Sequence, residues 1–463
     1  MAIDDRIALY ASTPFEGPEK LLEVWFAPSA ASVQDAHSKK DTRVGLRRIP
    51  RLVWEDMLDI VKCKVLSVIE GDQIDAYLLR CVHRLHVSHM LTSFVDSESS
   101  LFVFAHRIIL KTCGTTLNLL GLPRILDIAR EHASLPSVYQ CFYSRKSFMF
   151  PERQPDPHRE WKHEVAFLDA IFPYGAAYTV GKVNGDHWLL YVTTPAIVGG
   201  TAPNASRVPP LIHVESNEGI QLPPASDDPE ASLTQDYTIE ILMSDLSREA
   251  REPFFFSVPP SPVDGASSEA LPSITGQTLS AALGITDIFP PHLTTLDAYA
   301  FTPCGYSSNA LVKWGDAATE VGAGEGYYTI HVTPEDGWSY ASFECNVPLS
   351  VTPTCSAKDI PDLRTLIQRV VDIFQPGRLS LTLFVSKKVN RNAEEDEAEA
   401  ITEVAQRQFK SALTASRPAF PSSSSLDGLH EVADGHTRSY RRTDKINYEF
   451  GDYNLAFASF ELR

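Results

Sequence analysis

The chain has 463 residues, of which 43% are hydrophobic, so it is long enough to bury a substantial core. Its formal net charge of −18 argues against nucleic acid or an anionic membrane as the main partner. The N-terminus carries Asp4, Asp5 and Arg6 where a signal peptide needs apolar residues. Seven cysteines without a C-x-x-C pair indicate reduced thiols rather than a disulfide framework. We therefore expect a cytoplasmic protein.

Short runs of β-branched and aromatic residues predict strands, and apolar residues spaced three or four apart predict helices between them. In chain order the predicted strands cover 100–111, 176–183, 187–193, 327–333, 340–346 and 380–386, and the predicted helices cover 117–130, 160–171 and 363–374. Each half of the chain has strands followed by a helix, which suggests a duplicated unit. Runs of strands interrupted by single helices favour an α+β fold with antiparallel sheets.

Four stretches interrupt this pattern and are predicted loop insertions. Three of them, 193–233, 257–275 and 390–435, are rich in Pro, Ser, Ala or acidic residues. The fourth, 80–96, divides a run that would otherwise read as one strand from 74 to 103. It contains His83, His86 and His89, but three histidines without a fourth ligand are weak support for a metal site. We expect no metal.

Four motifs carry residue types that could do chemistry. They are SESS at 97–100, KTCGTT at 111–116, FTPCGYS at 301–307 and YYTIHVTPE at 327–335. Each alone is more typical of a turn, a cap or a core strand than of a catalytic site. Cys113 near a helix start could have a lowered pKa. With His331 it could form the thiol–imidazole pair of a cysteine hydrolase, although spacing does not show whether the two meet.

Taken together, the motifs resemble those of eukaryotic S-adenosylmethionine decarboxylase proenzymes of the fungal kind. Further matching strings are FEGPEKLLEVWF at 15–26, ILKTCGTT at 109–116, FYSRK at 142–146, FPYGAAY at 172–178, TIEILMS at 238–244, PCGYS at 303–307 and DYN at 452–454. Because so many rare strings keep the order of the family, the chain is identified as a member of it.

The resemblance implies a single domain over 1–463, folded as a four-layer αββα sandwich of two antiparallel sheets with outer helices. It also implies self-cleavage into a beta chain, 1–98, and an alpha chain, 99–463, and a homodimer of the processed units. The family runs almost directly from the equivalent of 76–79 into SESS. Segment 80–96 is therefore either a real loop beside the cut or a translated intron.

The resemblance further implies a reaction sequence. The Ser99 hydroxyl attacks the carbonyl of Glu98 to give an ester, and elimination leaves a pyruvoyl cofactor at the new N-terminus. The family pattern gives Ser307 and His331 roles in this processing. The pyruvoyl carbonyl forms a Schiff base with the substrate amine and accepts the electrons left when CO2 departs. Cys113 matches the proton donor of the decarboxylation.

Binding residues follow from the same resemblance. Phe15 and Phe301 match an aromatic pair that stacks on adenine, where the sulfonium adds a cation–π attraction. Glu335 matches the carboxylate that holds the ribose hydroxyls. The acidic residues that the family places near the reacting centre or ties to processing are Glu16, Glu19 and Glu98. The product, S-adenosyl 3-(methylthio)propylamine, would supply spermidine and spermine synthesis.

A second cluster matches the putrescine site of the animal and fungal members. Its residues are Glu23, Lys111, Phe142, Asp236, Thr238, Glu240, Glu344, Phe384 and Tyr453. Several carboxylates buried together are costly unless a cation compensates them, and a diamine would do so. Strand alternation would put Asp236, Thr238 and Glu240 on one face. We therefore expect putrescine to activate the enzyme.

Two other functions stay open at this point. A non-catalytic relative that regulates a partner decarboxylase would be expected to lose the reactive residues, yet Ser99, Cys113, Ser307 and His331 are all present. A cysteine hydrolase is supported only by Cys113 and His331. The hypothesis of an active decarboxylase accounts for more of the sequence motifs than either alternative.

Overall fold

The computed structural model describes residues 16–35, 43–87, 91–195, 236–256, 271–315, 323–354, 356, 358–386, 401–415, 438–451 and 453–463. At 82–87, 91–98 and 271 it describes the backbone alone. Most of the predicted insertion 193–233 and the substrate-binding candidate Phe15 lie outside these residues.

The first half of the chain forms an eight-stranded antiparallel sheet. Its strands are β1 (Lys20–Trp25), β2 (Cys63–Glu70), β3 (Ile74–Val87), β4 (Leu91–Phe104), β5 (Arg107–Thr112), β6 (Gln140–Lys146), β7 (Gly175–Gly181) and β8 (His187–Thr193). Their order across the sheet is β2-β3-β4-β5-β1-β6-β8-β7. The first strand in the chain thus lies in the middle of the sheet.

The second half forms another eight-stranded antiparallel sheet. Its strands are β9 (Tyr237–Leu246), β10 (Thr294–Ala300), β11 (Tyr306–Trp314), β12 (Gly324–Thr333), β13 (Tyr340–Cys345), β14 (Pro376–Ser386), β15 (Tyr440–Phe450) and β16 (Tyr453–Leu462). Their order, β10-β11-β12-β13-β9-β14-β16-β15, repeats that of the first sheet strand for strand. The duplication suggested by the sequence is confirmed by this shared topology.

Helices accompany both sheets. They are α1 (Arg51–Ile60), α2 (Leu122–Ala133), α3 (Trp161–Asp169), α4 (Arg248–Arg251), α5 (Leu271–Ala282), α6 (Leu363–Phe374) and α7 (Ile401–Thr414). The predicted helix 363–374 coincides with α6, which begins where the Asp362 carboxylate accepts a hydrogen bond from the Thr365 backbone N–H. Among the described residues, no helix is both long and apolar enough to cross a membrane.

Apolar side chains form cores on both faces of each sheet. One large core joins the first sheet to its helices, with Trp54, Met57 and Ile125 fully buried. A second joins the other sheet to α6 and α7. Between the sheets, two smaller cores lie around Phe102 and around Trp188. The four-layer αββα sandwich is therefore confirmed.

Two predicted loop insertions are wrong in part. Residues 401–414 of the insertion 390–435 form helix α7, whose Ala405 and Phe409 are fully buried. The acidic run before this segment and the serine tract after it lowered the hydrophobicity of the whole stretch and hid its helical period. Residues 271–275 of the insertion 257–275 likewise lie in α5.

The predicted loop at 80–96 is also wrong for the residues described there. Strands β3 and β4 continue through it as one long antiparallel hairpin, in which Leu79 pairs with Ser99 and Arg80 pairs with Glu98. Pairing continues outward to Val87 and Leu91. In a hairpin extension, the backbone N–H and C=O groups of the inserted residues form hydrogen bonds with each other. The insertion therefore disturbs neither sheet.

The expectation of reduced thiols fails at one pair. Cys63 and Cys81 form a disulfide, because β2 and β3 pair in a register that sets these two residues directly opposite each other. Sequence spacing gave no sign of this pairing, since the two cysteines lie 18 residues apart. Among the described residues, the cysteines outside this disulfide are Cys113, Cys141, Cys304 and Cys345.

Candidate active site

The facing surfaces of the two sheets carry a line of buried polar residues. Side chains alternate along a strand, so residues 19, 21, 23 and 25 of the β1 region share one face, and the residues between them face the helices. Trp25 belongs to a core between the sheets, whereas Leu22 and Val24 belong to the helix-side core. Glu19 and Glu23 therefore project toward the second sheet.

Ser99 lies within β4 and is completely buried. Its backbone pairs with Leu79 of β3 and Thr112 of β5, and Cys81 Sγ lies 3.1 Å from its Oγ. Ser99 alternates with Leu101, which belongs to the helix-side core. The carbonyl of Glu98 precedes it in the same strand.

The neighbouring residue, Ser100, projects between the sheets. Its Oγ lies 3.1 Å from His331 Nε2 and 3.1 Å from Thr329 Oγ1, and it donates a hydrogen bond of 2.7 Å to Asn309 Oδ1. Asn309 in turn donates to the Tyr77 carbonyl, 3.0 Å away. The hydroxyl that meets the imidazole is thus that of Ser100, one residue beyond Ser99, because consecutive strand residues point to opposite faces.

Glu19 holds the other side of the His331 ring. Its Oε1 lies 3.1 Å from His331 Nδ1, and Oε2 accepts a hydrogen bond of 2.8 Å from the Tyr340 hydroxyl. The Ser342 hydroxyl also donates to Oε1. Burial alone would raise the pKa of Glu19, but the Lys111 ammonium and the hydrogen bonds from His331 and Ser342 lower it to about 2. Glu19 is therefore an ionised partner that orients the imidazole.

Ser307 lies beside His331 on the adjacent strand. The two residues pair directly between β11 and β12, so their side chains share the face between the sheets. Ser307 is fully buried, and its Oγ has no hydrogen-bond partner among the described residues. A buried hydroxyl without a partner is uncommon and suggests a group kept available for another atom.

Cys113 follows β5 in a tight turn. Gly114 has a φ of +61°, which favours glycine. Its carbonyl accepts hydrogen bonds from Lys20 Nζ at 2.7 Å and from Gln154 Nε2 at 3.3 Å. Because Thr112 pairs with Ser99, this turn brings the buried Cys113 close to the Ser99 backbone.

Glu16 supports the same region. Its two carboxylate oxygens accept hydrogen bonds from the backbone N–H groups of Met149 and Phe150, at 2.7 and 2.8 Å. Its backbone carbonyl accepts one from Gly114. Burial raises the pKa of Glu16 despite these bonds. Glu16 thus anchors the 149–150 backbone next to the Cys113 turn.

The substrate-binding candidates that the structure describes lie on the second sheet. Phe301 is buried at the start of the turn after β10, and its backbone N–H bonds to the Gly305 carbonyl. Glu335 is half-buried just after β12, where burial raises its pKa although the Cys304 side chain hydrogen-bonds to it. Residues 301–305 and Glu335 therefore meet.

Between the sheets lies a cluster of four carboxylates and two cations, which we call the acidic cluster: Glu23, Asp236, Glu240, Glu344, Arg107 and Lys111. Arg107 NH1 lies 2.9 Å from Glu23 and 2.8 Å from Asp236. Lys111 Nζ lies 2.7 Å from Glu344 and 3.5 Å from Glu240. The two cations each bridge two carboxylates.

Protonation in the acidic cluster is strongly perturbed. Burial raises the pKa of Glu23 to about 7 against the opposing effect of Arg107. Burial likewise raises the pKa of Glu240 to about 7 against the opposing effect of Lys111. The carboxylates outnumber the cations, so near neutral pH two of them share protons instead of carrying full charge.

Aromatic residues line one side of this cluster. Phe384 and Tyr453 stack with their ring centroids 4.6 Å apart, and Phe142 meets both rings edge-on. Thr238 pairs with Phe384 and lies on the same strand face as Asp236 and Glu240. The structure thus brings together all nine residues of the expected putrescine site.

Several residues in these networks were not found from the sequence. Ser100, Asn309 and Thr329 surround His331, and Arg107 joins Glu23 to Asp236. Strand alternation could have identified Arg107, because it lies four residues before Lys111 in one strand and must share the face of Lys111. Nothing in the sequence gave the pairing of β5 with β1 that makes this face internal.

Comparison with known proteins identifies the family to which these residues point. A family model described as adenosylmethionine decarboxylase matches residues 12–82 and 81–461. The matched segments together extend over most of the chain.

Individual relatives agree with this match. The S-adenosylmethionine decarboxylase proenzyme of Xenopus laevis is 32% identical over 446 residues, which are 96% of this chain and 95% of that protein. The Drosophila melanogaster proenzyme is 36% identical over 81% of this chain and 83% of its own length. The Saccharomyces cerevisiae proenzyme is 33% identical, with 83% and 85% covered.

Proposed function

This chain belongs to the adenosylmethionine decarboxylase family and decarboxylates S-adenosylmethionine, and from that premise we propose that it first cuts itself between Glu98 and Ser99. One observation carries the proposal. A buried imidazole, His331, is held by the ionised Glu19 and reaches the residue next to Ser99. Such a base beside a buried serine is what an internal acyl shift requires.

The cut proceeds in balanced steps. Ser99 Oγ attacks the carbonyl carbon of Glu98, the C–N bond breaks, and the proton of the hydroxyl passes to the freed nitrogen. A base then removes the hydrogen on Cα of Ser99, and the ester C–O bond breaks to release Glu98 as a carboxylate. Hydrolysis of the resulting enamine, as its imine tautomer, releases ammonia and leaves a pyruvoyl group. We assign the base to His331, with Ser307 beside it.

The surroundings of Ser99 fit a pyruvoyl group. The site is buried, the Ser307 hydroxyl, without a partner in the described part of the chain, lies on the strand position opposite His331, and Cys113 follows the residue that pairs with Ser99. Either group could contact or protonate a reacting carbonyl. When formed, the group supplies an electron sink for the loss of CO2. Cys113 would deliver the proton that replaces CO2. Phe301 and Glu335, with Phe15, would hold the adenosine.

A denaturing gel with intact-mass spectrometry tests the cut. From the 51.3 kDa of the whole chain, fragments of about 11 and about 40 kDa are expected, and the larger should be blocked to Edman sequencing. Ser99→Ala should abolish cleavage completely. Ser100→Ala is the matched control, since it removes the adjacent buried hydroxyl and should still yield fragments of the same two masses.

The outcomes separate the alternatives. A purified chain that stays at full length contradicts self-cleavage. Cleavage that survives in Ser99→Ala and disappears in Ser100→Ala moves the cut by one residue, to the hydroxyl that contacts His331.

We also propose that putrescine binds the acidic cluster and activates the enzyme. Four carboxylates face two cations there, and a diamine would compensate the excess. Lys111 links this cluster to the processing site, because its charge also acts on Glu19, the partner of His331. A bound dication would thereby change the electrostatic environment of Lys111 and Glu19.

Decarboxylation assays with and without putrescine test this regulation. The rate of decarboxylation should rise with putrescine in the unaltered enzyme. In Asp236→Asn, the putrescine concentration needed for half of the full activation should rise about tenfold or more. Asp245→Asn is a control on the same strand, because Asp245 is exposed and bonds to Arg378. Indifference of the unaltered enzyme to putrescine removes the regulatory proposal and leaves the decarboxylase intact.

The assembly and location remain predictions. We expect a homodimer of processed units in the cytoplasm, and analytical ultracentrifugation of the purified protein measures the first. A sedimentation coefficient that stays monomeric over a hundredfold range of concentration contradicts it.

A further inference from the structure

The acidic cluster divides into two halves of equal charge. In the first half, Arg107 bridges Glu23 and Asp236. In the second, Lys111 bridges Glu240 and Glu344. Each half therefore contains two carboxylates and one resident cation. With every carboxylate ionised, each half lacks one positive charge.

Arg107 is held more rigidly than a surface arginine. Its guanidinium carbon lies 4.4 Å from the centroid of the Trp25 ring and 4.3 Å from that of the Phe104 ring, so two aromatic faces cover it. The side chain is only 7% exposed. The cation–π contacts and two charge-assisted hydrogen bonds fix its position. Arg107 is thus a permanent part of the site.

The carboxylates that still need compensation are also the most accessible ones. Glu23, Asp236 and Glu240 keep 12%, 15% and 13% of their side-chain surface exposed. By contrast, Glu344 is 1% exposed and receives a further hydrogen bond of 2.6 Å from the Tyr327 hydroxyl. An ammonium group entering the cluster can therefore meet one accessible carboxylate in each half.

We propose that Arg107 sets the number of positive charges on the activating amine: with Arg107 in place the acidic cluster accepts a dication, one ammonium for each half. This inference rests on the proposed putrescine site. Selectivity among amines then comes from charge matching. The guanidinium of Arg107 occupies a position that a third ammonium group of the amine would otherwise take. Removing that cation should shift the preference to a trication, and removing one carboxylate should shift it to a monocation.

Isothermal titration calorimetry on the full chain tests the proposal with three probes: n-butylamine, putrescine and spermidine. All titrations are made at pH 8, above the raised pKa of Glu23 and Glu240. The unaltered chain should prefer putrescine. Arg107→Met should raise the affinity for spermidine relative to putrescine by about tenfold, the effect of about 1.4 kcal/mol. Glu23→Gln should raise the affinity for n-butylamine relative to that for putrescine by a similar factor.

Arg107→Lys is the matched control, because it keeps the charge while losing the planar contact with both rings. It should keep the preference for putrescine. Thermal unfolding of each variant checks that it is folded. If Arg107→Met does not fold, Glu23→Gln still tests the proposal. Unchanged preference in folded Arg107→Met and in Glu23→Gln overturns this inference alone. Failure of the unaltered chain to bind putrescine overturns the putrescine site as well.

Discussion

His331 connects two networks that the sequence keeps far apart. Its Nε2 lies beside Ser100 of the first half of the chain, and its Nδ1 lies beside Glu19 near the N-terminus. An ionised carboxylate on Nδ1 fixes which ring nitrogen carries the proton, so Nε2 is left as the acceptor. This is the tautomer that a base at Ser99 needs.

His331→Ala should slow self-cleavage by roughly a hundredfold to ten-thousandfold, the usual contribution of general acid–base catalysis. Glu19→Gln should slow it less, since the imidazole stays but loses its orienting charge. The rate is measured by following fragment formation after synthesis in a cell-free system. His292→Ala removes an exposed histidine and serves as control. Equal cleavage rates in His331→Ala and His292→Ala would exclude His331 as the base.

At this scale the sequence predicted residue types better than contacts. Resemblance to the family pointed to Glu19, Lys111 and His331, and the fold brings these three together. Ser100 and Arg107 were missed, because their importance depends on strand pairing across the sheets. Register is set by the packing of whole faces, and no short motif encodes it.

Among the elements, the hairpin of β3 and β4 has the most direct bearing on the cut. Glu98 is paired with Arg80 inside the ladder, so the bond proposed for cleavage lies in the middle of a strand. Removing 80–96 would join Leu79 to Ser97. Because Leu79 pairs with Ser99, Ser97 and Glu98 would then form a two-residue hairpin loop.

A chain lacking 80–96 also loses Cys81 and its disulfide to Cys63. It should nevertheless cleave faster than the full chain under reducing conditions, because the Glu98 carbonyl would lie in a turn, free of the ladder. Deleting 86–90 is the control: it leaves 91 and 92 as a two-residue loop but keeps Glu98 paired with Arg80. Gel analysis of both variants over time measures the rates. A shortened chain that stays intact while the full chain cleaves contradicts the prediction, and transcript sequencing shows whether 80–96 is encoded in the messenger RNA.

Elements with a clear period were predictable, and those surrounded by biased composition were not. Helix α6 was predicted because its apolar positions recur without interruption. Helix α7 was missed between an acidic run and a serine tract, although it buries Phe409 and Leu413 against the second sheet. Tertiary contacts stabilise such a helix where local composition does not.

At the scale of the whole molecule, carboxylates with raised pKa values lie between the sheets. Their protonation should make the free energy of unfolding depend on pH. The pKa of Glu23, beside Arg107, Asp236 and Glu344, and that of Glu240, beside Lys111, Glu344 and Glu19, are both raised to about 7. Below about 4.5 both groups are protonated in the folded and unfolded chain alike. Between about 4.5 and 7 the unfolded chain loses these protons first, so the contribution of Glu23 and Glu240 to the free energy of unfolding falls as pH rises.

Glu23 and Glu240 should therefore lower the midpoint of thermal unfolding by a few degrees from pH 5 to pH 7, whereas the buried His106 and His158, whose pKa values burial lowers to about 3 and about 4, raise it over the same range. Relative to the unaltered chain, Glu240→Gln should show a midpoint that rises more from pH 5 to pH 7, since its side chain no longer titrates. Glu403→Gln, at an exposed residue, should not. Putrescine should raise the midpoint most at pH 8, where the carboxylates are charged. The same pH dependence in Glu240→Gln as in the unaltered chain would contradict the assignment.

The position of β1 has a consequence for a chain cut after residue 98. This strand belongs to the smaller piece, yet both of its neighbours, β5 and β6, belong to the larger one. The smaller piece also supplies β2 and β3, which complete one edge of the sheet. The two pieces are thus interleaved, and separating them means dismantling the sheet. Breaking the peptide bond should leave a single cooperative unit, held by the same forces that fold the uncut chain.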